Sequence, residues 1–278
     1  MSWDFVNGKF VKSDTAVFTA NDRLLRYGDG FFESIKVAHG VPLHFNLHFS
    51  RIEKSIMLLQ MEFPLEWTQD YFNGVIVELC KKNACSNARI RIVFYRDTNG
   101  SYMPEDKKTG FLITVDPLNK LEYPCKEIAN LGIYKQMYKT TNFTSILKTT
   151  SANIYVMAKI FAKENGHGDC LLVNEKDLLC EATSSNLFMV KGNKLITPPI
   201  SEYCVDGIMR KVILQLATAY GYDCQESIIE EQDLYLADEL FLTNAINGII
   251  PVKDFKGREY GFAYTNILIK MLNDSLKG

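Results

Sequence analysis

The chain alternates between two hydrophobic periods, and it does so twice. A period of two marks strands and a period near 3.6 marks helices. The first strands come at once: FVNGKFV reads as a hairpin around Asn7-Gly8, a pair that tolerates the positive φ such turns need, and KVAHGVPL (36–43) reads as a second. HFNLHFSRIEKSIMLLQ follows, with Phe45, Phe49, Ile52, Ile56 and Leu59 at alternating four- and three-residue steps, one face of an amphipathic helix. His48, Arg51 and Ser55 share the neighbouring stripe. A second helix is predicted over roughly 67–82, with Phe72, Val75, Ile76, Leu79 and Cys80 on one side, then the strands ARIRIVFYR and GFLITV.

After two prolines in DPLNKLEYP the pattern restarts. LGIYKQMY reads as a strand, and a helix is predicted from about 151 to 163, with Thr150 or Ser151 placed to cap its first amides. DCLLVN, LLCEA, LFMVK and KLITP form a series of short strands, the last two joined at Gly192-Asn193. A helix at 208–220 ends at Gly221, a left-handed cap residue; the strand ELFLTNA and a helix at about 261–275 complete the set. The expected class is mixed α+β / α/β in two domains: a small N-terminal α/β domain at 1–116, a linker at 117–124, and a larger β-rich domain with flanking helices at 125–278.

Composition narrows the function. With 278 residues, 47% of them hydrophobic, the chain can fill its cores unaided. A net charge of -2 with scattered basic residues gives no footprint for nucleic acid or an anionic membrane, so small molecules are the expected partners. The seven cysteines, at 80, 85, 125, 170, 180, 204 and 224, form no CxxC and lie in or beside apolar runs, which reads as buried thiols in a reducing compartment. With no signal-like start and no apolar run of membrane-spanning length, the cytoplasm is the expected location.

Four places carry candidate chemistry. Lys148, in SILKTTSAN, sits between an apolar pair and hydroxyl residues just before a helix, and a desolvated lysine gives up some preference for the charged state, as Schiff-base chemistry requires. An ordinary solvated lysine at a loop edge is the plainer alternative. Glu181, where a strand runs into TSSN, could accept a hydrogen bond from a ring nitrogen and hold it protonated, or be a rim charge at a strand end. Gly207 precedes a helix whose first amides, at Ile208 and Met209, could meet an anion with the help of the helix dipole, though a glycine there also serves as a turn. Arg51 could add a positive charge to the same anion, or pair with Glu53 or Glu62 at the surface. In TNAINGIIPV (243–252) the loop amides could reach a ligand, or the loop could simply connect two strands.

In order, NDRLLRYGDGFFESIKV (21–37), HFSRI (48–52), LKTTSANIYVMAK (147–159), CEATSSNLF (180–188), TPP…VDGIMR (197–210), LYLADELFLTNA (234–245) and IIPV (249–252) resemble the class IV aminotransferases, the fold-type-IV pyridoxal-phosphate enzymes. That family includes branched-chain and D-amino acid aminotransferases and aminodeoxychorismate lyases. The resemblance implies pyridoxal 5'-phosphate as cofactor, Lys148 as its Schiff-base lysine and proton carrier, and Glu181 as the partner of the pyridine nitrogen. It also implies Ser185 and Asn186 behind the ring; Arg51, Gly207, Ile208 and Met209 at the phosphate, with Asn244 and Ala245 completing the cradle; Tyr27, Glu33 and Arg96 toward a small amino substrate; and a homodimer.

Departures shape the functional expectation. Asn153 stands where branched-chain enzymes carry a tyrosine for the cofactor's phenolic oxygen, and Ala245 where many have threonine. Arg96 survives in the region of the D-amino acid enzymes' carboxylate arginine, but the later position reads as Ser101. GIMR, NA and the short length lie nearer the lyases, which eliminate pyruvate to give p-aminobenzoate for folate. The expected function is therefore 4-amino-4-deoxychorismate lyase, with an amino acid:2-oxo acid aminotransferase as the alternative and a non-catalytic cofactor-binding relative as the third reading.

Overall fold

The computed structural model describes residues 2–124 and 126–276. Within these the chain folds as two compact units, one of residues 2–121 with 147–151, the other of residues 122–124, 126–146 and 152–276. The segment 147–151, which carries Lys148, thus packs with the first unit, whereas the expected division grouped it with the second. Its backbone explains this: Phe32 N donates to Lys148 O at 2.9 Å, Thr150 N donates to Gly30 O at 2.9 Å, and Phe31 and Thr149 form an antiparallel bridge. Cys125 lies outside the described residues; the six other cysteines are free thiols, four of them buried.

The first unit is an antiparallel sheet in the order Lys9–Lys12, Trp3–Val6, Thr109–Pro117, Ala88–Arg96, Gly30–Ala38, Val41–Pro42. Both predicted hairpins form with two-residue turns, Val6 opposite Lys9 and Ala38 opposite Val41. Asn7 and Gly8 take φ of 44° and 89°, the left-handed pair that matches the twist of the flanking strands. Along Gly30–Ala38 the odd positions Phe31, Ile35 and Val37 enter an aromatic-rich core with Ile90, Ile92, Phe94, Phe111 and Ile113 of the neighbouring strands. Helices Phe45–Leu58 and Gln69–Lys82 supply Ile52, Ile56, Phe72, Ile76 and Leu79 to that core. The second helix starts at Thr68, whose side chain accepts from Tyr71 N at 3.1 Å and so satisfies one of the free first-turn amides.

In the second unit, strands Asp223–Glu226, Lys194–Thr197, Asn186–Lys191, Leu179–Ala182, Asp169–Asn174, Leu131–Lys139, Asp254–Phe255 and Arg258–Glu259 follow one another across a sheet. Strand Glu239–Asn244 pairs with Asn186–Lys191 as well as with Gly248–Val252. Leu131–Lys139 and Asp169–Asn174 run parallel, a pairing that needs a crossover, and helix Asn153–Glu164 supplies it by burying Ala158 and Ala162 against Tyr134, Cys170 and Leu172. Helices Ile208–Ala219 and Ala263–Asp274 pack on strand Glu239–Asn244. One local expectation fails: helix Asn153–Glu164 begins after Ala152 without a side-chain cap. The Thr150 hydroxyl lies instead 2.6 Å from Gly28 O and 3.0 Å from Gly30 O, where its hydrogen serves the carbonyls of the first unit's turn. Among the described residues no helix is long and apolar enough to cross a membrane.

Candidate active site

In the second unit the chemistry gathers around Glu181, 3% exposed on the short strand Leu179–Ala182. Its Oε1 receives the Lys139 ammonium and the Tyr155 hydroxyl, the latter at 2.8 Å, while Oε2 accepts Val205 N at 2.9 Å. Lys139 stands at the end of strand Leu131–Lys139, buried at 3% exposure, and Tyr155 on the first turn of helix Asn153–Glu164. Burial alone would depress the Lys139 amine, but the facing Glu181 carboxylate outweighs it and holds the amine above its ordinary range. The Tyr155 hydroxyl is pushed up as well, by burial first and then by Glu181, so it stays a neutral donor at physiological pH.

Lys139 is the residue that the sequence did not reveal. QMYKTT shows a lysine beside a tyrosine and two threonines at a strand end, with no local sign of a carboxylate. Its partner comes 42 residues later, on a strand that Asp169–Asn174 separates from Leu131–Lys139 in the sheet.

The residues expected near Glu181 form a connected set. Asn186 lies opposite Glu181 in the sheet and donates from Nδ2 to Val205 O at 2.8 Å. Gly207, at the start of helix Ile208–Ala219, leaves no room there: a Cβ on it would stand 1.9 Å from Asn186 Oδ1. No side chain caps this helix, and first-turn amides such as those of Ile208 and Met209 have no intrahelical carbonyl to bond. Ser185 accepts from Asn244 Nδ2 at 2.9 Å, and Asn244 Oδ1 takes the amides of Ile246 and Asn247, which fixes the turn holding Ala245. Thr243, just before that turn, has a buried Oγ1 with no hydrogen-bond partner.

In the first unit, Lys148 is half-buried with Nζ 4.7 Å from the centroid of the Phe32 ring. Arg91 also lies against that ring, at 3.8 Å. Glu33 and Arg51, expected at substrate and phosphate, are bound to each other in the core. Arg51 Nε donates to Oε1 and Nη2 to Oε2, each at 2.7 Å, and His48 Nδ1 lies 2.7 Å from Oε2. Glu33 occupies the core-facing alternation of its strand, where burial would raise its carboxyl, but Arg51, with His48, overrides this and holds it down at about 2. His48 is pushed below its ordinary value chiefly by burial. The carboxylate that Arg51 meets is thus that of Glu33. Arg96 is likewise engaged: Nε reaches Asp29 Oδ2 at 3.0 Å, and Nη2 and Nη1 donate to the carbonyls of Leu59 and Gln60 at 2.8 and 3.3 Å. Tyr27 ends the short helix Arg23–Tyr27, its ring 5.4 Å from that of Tyr102.

The second unit fits pyridoxal 5'-phosphate: a buried carboxylate with acceptor capacity left at Oε2 suits the ring nitrogen, and an uncapped helix start closed to any Cβ suits a phosphate. Among the described residues no cluster suits a metal ion.

A two-unit α+β fold with these features defines an enzyme of the pyridoxal-phosphate type. The family model for amino-transferase class IV matches residues 30–255, and the chain belongs to that family. It is 26% identical to the branched-chain-amino-acid aminotransferase of Salmonella typhimurium over 98% of this chain and 91% of that one. It is 27% identical to the aminodeoxychorismate lyase of Vibrio harveyi over 86% and 87% of the two chains. The fold is shared with the branched-chain aminotransferase of the thermophilic archaeon Thermoproteus uzoniensis, crystallised with norvaline, at a TM-score of 0.89, 21% identity, and 99% and 94% coverage. A branched-chain amino acid aminotransferase crystallised with pyridoxamine 5'-phosphate shares it equally, at the same TM-score of 0.89. Class IV aminotransferases use pyridoxal 5'-phosphate, as expected from the sequence.

Proposed function

We propose that the chain is a pyridoxal-phosphate-dependent lyase acting on 4-amino-4-deoxychorismate, releasing pyruvate and p-aminobenzoate. The observation that carries the cofactor chemistry is the buried Glu181 carboxylate, tied on Oε1 and with acceptor capacity on Oε2. When bound, the cofactor supplies an aldehyde for an amine and a ring that draws electrons away from the substrate. In this reading Glu181 accepts the ring N–H and the amides of Ile208 and Met209 hold the phosphate, while Arg51, whose Nε and Nη2 are engaged by Glu33, contributes its charge and not those donors. Asn186 and Ser185 brace the strand and turn behind them, with Asn244 and Ala245 on the adjacent loop. Lys148 is the covalent anchor and moves the proton at the substrate carbon next to the amino group. Tyr27, Glu33 and Arg96 were read as facing substrate; the closed partnerships of Glu33 and Arg96 favour a supporting role, which leaves Tyr27 as the substrate-side candidate.

The lyase outcome rests on Ala245 and Asn153, which omit two hydroxyl contacts expected of a branched-chain enzyme. A second reading, amino transfer from an amino acid to a 2-oxo acid, is favoured by relatives of that activity that match 98% of the chain. Incubation with aminodeoxychorismate and no oxo acid separates them: pyruvate release supports the lyase, while transfer only from amino acids to oxo acids supports the aminotransferase. In either reading the working form is taken as a cytoplasmic homodimer, which gel filtration tests for its size.

A further inference from the structure

The buried Lys139 ammonium, the half-buried Tyr155 hydroxyl and the Val205 amide meet at Glu181, and counting their donors shows what each is for. The Lys139 ammonium has three N–H groups and three acceptors: Glu181 Oε1, the Tyr155 hydroxyl at 2.9 Å and Ser145 O at 3.1 Å. It is saturated. The Tyr155 hydroxyl accepts from Lys139 and donates its own hydrogen to Oε1, so Oε1 has two donors, about as many as a carboxylate oxygen takes. Oε2 has the Val205 amide and room for one more. The neighbouring thiols of Cys180 and Cys204, pushed up to about 12 chiefly by burial, are neutral and add no thiolate to compete for the Lys139 ammonium.

We propose that Lys139, with Tyr155, is a positioning residue that fills Glu181 Oε1, leaves Oε2 as the oxygen open to the cofactor's ring N–H, and biases the shared proton toward the ring. The inference rests on the reading of Glu181 as the partner of the ring nitrogen. Its physical basis is charge separation. With the carboxylate and ring nitrogen sharing one proton, the arrangement that keeps Glu181 anionic is stabilised by an ammonium in direct contact with Oε1. The repulsion between that ammonium and a protonated ring is weaker, because the carboxylate stands between them. An arginine would not serve equally, since its five donors exceed the acceptors arranged around a three-donor ammonium.

The test reads the proton directly. Protein loaded with pyridoxal 5'-phosphate labelled with 15N at the ring is compared, by ring-nitrogen chemical shift at neutral pH, among wild type, Glu181→Gln, Lys139→Met and Tyr155→Phe, with folding followed by circular dichroism. The expected result is a protonated-ring shift in wild type, a neutral-ring shift in Glu181→Gln, and a shift in Lys139→Met displaced at least halfway toward that of Glu181→Gln. Tyr155→Phe, which removes one Oε1 donor and keeps every charge, should move the same way by less, and it decides the matter if Lys139→Met does not fold. A wild-type shift in Glu181→Gln contradicts the reading of Glu181 itself. A displaced shift in Glu181→Gln with wild-type shifts in the folded Lys139 and Tyr155 variants overturns the role given to Lys139.

Discussion

Arg51 meets Glu33 through two hydrogen bonds of 2.7 Å across the interface between helix Phe45–Leu58 and strand Gly30–Ala38. Both side chains are almost fully buried, and His48 closes the remaining side of the carboxylate. Glu33→Gln keeps the shape but leaves the guanidinium buried without its counter-charge, a loss expected to cost about 3–5 kcal/mol in urea unfolding.

Acid should act on the same pair. The Glu33 carboxyl has an ordinary value of 4.5 and is held at about 2 in the folded chain, so its contribution is fully present above 4.5 and is lost as pH falls from there through 2. The amount is on the order of 3 kcal/mol. Unfolding free energy measured between pH 6 and pH 2 should fall with a steeper slope in wild type than in Glu33→Gln; equal slopes would remove Glu33 from the acid response.

Arg96 offers a contrast between a structural and a substrate-binding arginine. Its guanidinium ties Asp29 to the carbonyls of Leu59 and Gln60 at the end of helix Phe45–Leu58. Arg96→Ala should lower stability by about 2–3 kcal/mol, as expected for charged hydrogen bonds lost from a largely buried position. The substrate KM should change less than about twofold, since only a residue that binds substrate directly raises KM on removal. A large rise in KM with unchanged stability would return Arg96 to the substrate.

Gly207→Ala places a methyl group 1.9 Å from Asn186 Oδ1, and Asn186 cannot swing aside without releasing Val205 O. The backbone at Gly207 has φ of -68°, which alanine adopts freely, so any loss comes from that collision. Thermal unfolding should show about 1–3 kcal/mol of destabilisation, typical of an overpacked site. Cofactor affinity should fall with it, because the first-turn amides of the helix shift.

Much of the fold could be read from local chemistry. Asn7-Gly8 set one hairpin and the 45–59 stripe set one helix because the signal for each lies within a few residues. The same stripe marked His48, Arg51 and Ser55 as neighbours, and all three are buried. The pairing of His48 and Arg51 is not visible there, because it depends on Glu33 on a strand 18 residues before Arg51, while Ser55 donates back to Arg51 O. Lys139 escapes local pattern for the same reason at longer range, and Thr150 does not cap the helix because the carbonyls of Gly28 and Gly30 take its hydroxyl. Buried charges are specified by partners distant in sequence, and hydrophobic periodicity carries no record of those partners.

Lys148→Ala should separate chemistry from folding. The side chain is half-buried and lies on an aromatic ring, and its removal should leave the fold intact. Turnover should fall by at least about a thousandfold, the range for loss of a proton-transferring group and covalent anchor. Pyruvate release and thermal unfolding on the same preparation measure both.

Two lysines compete for the covalent role, and their surroundings differ. Lys139 is ion-paired, saturated with acceptors and held in the charged form, which makes it a poor nucleophile. Lys148 is half-buried, with its amine over the Phe32 ring. Borohydride reduction of the protein loaded with pyridoxal 5'-phosphate, followed by peptide mapping, decides between them. The expected adduct is on the peptide containing Lys148; an adduct on Lys139, or none at either position, would contradict the assignment.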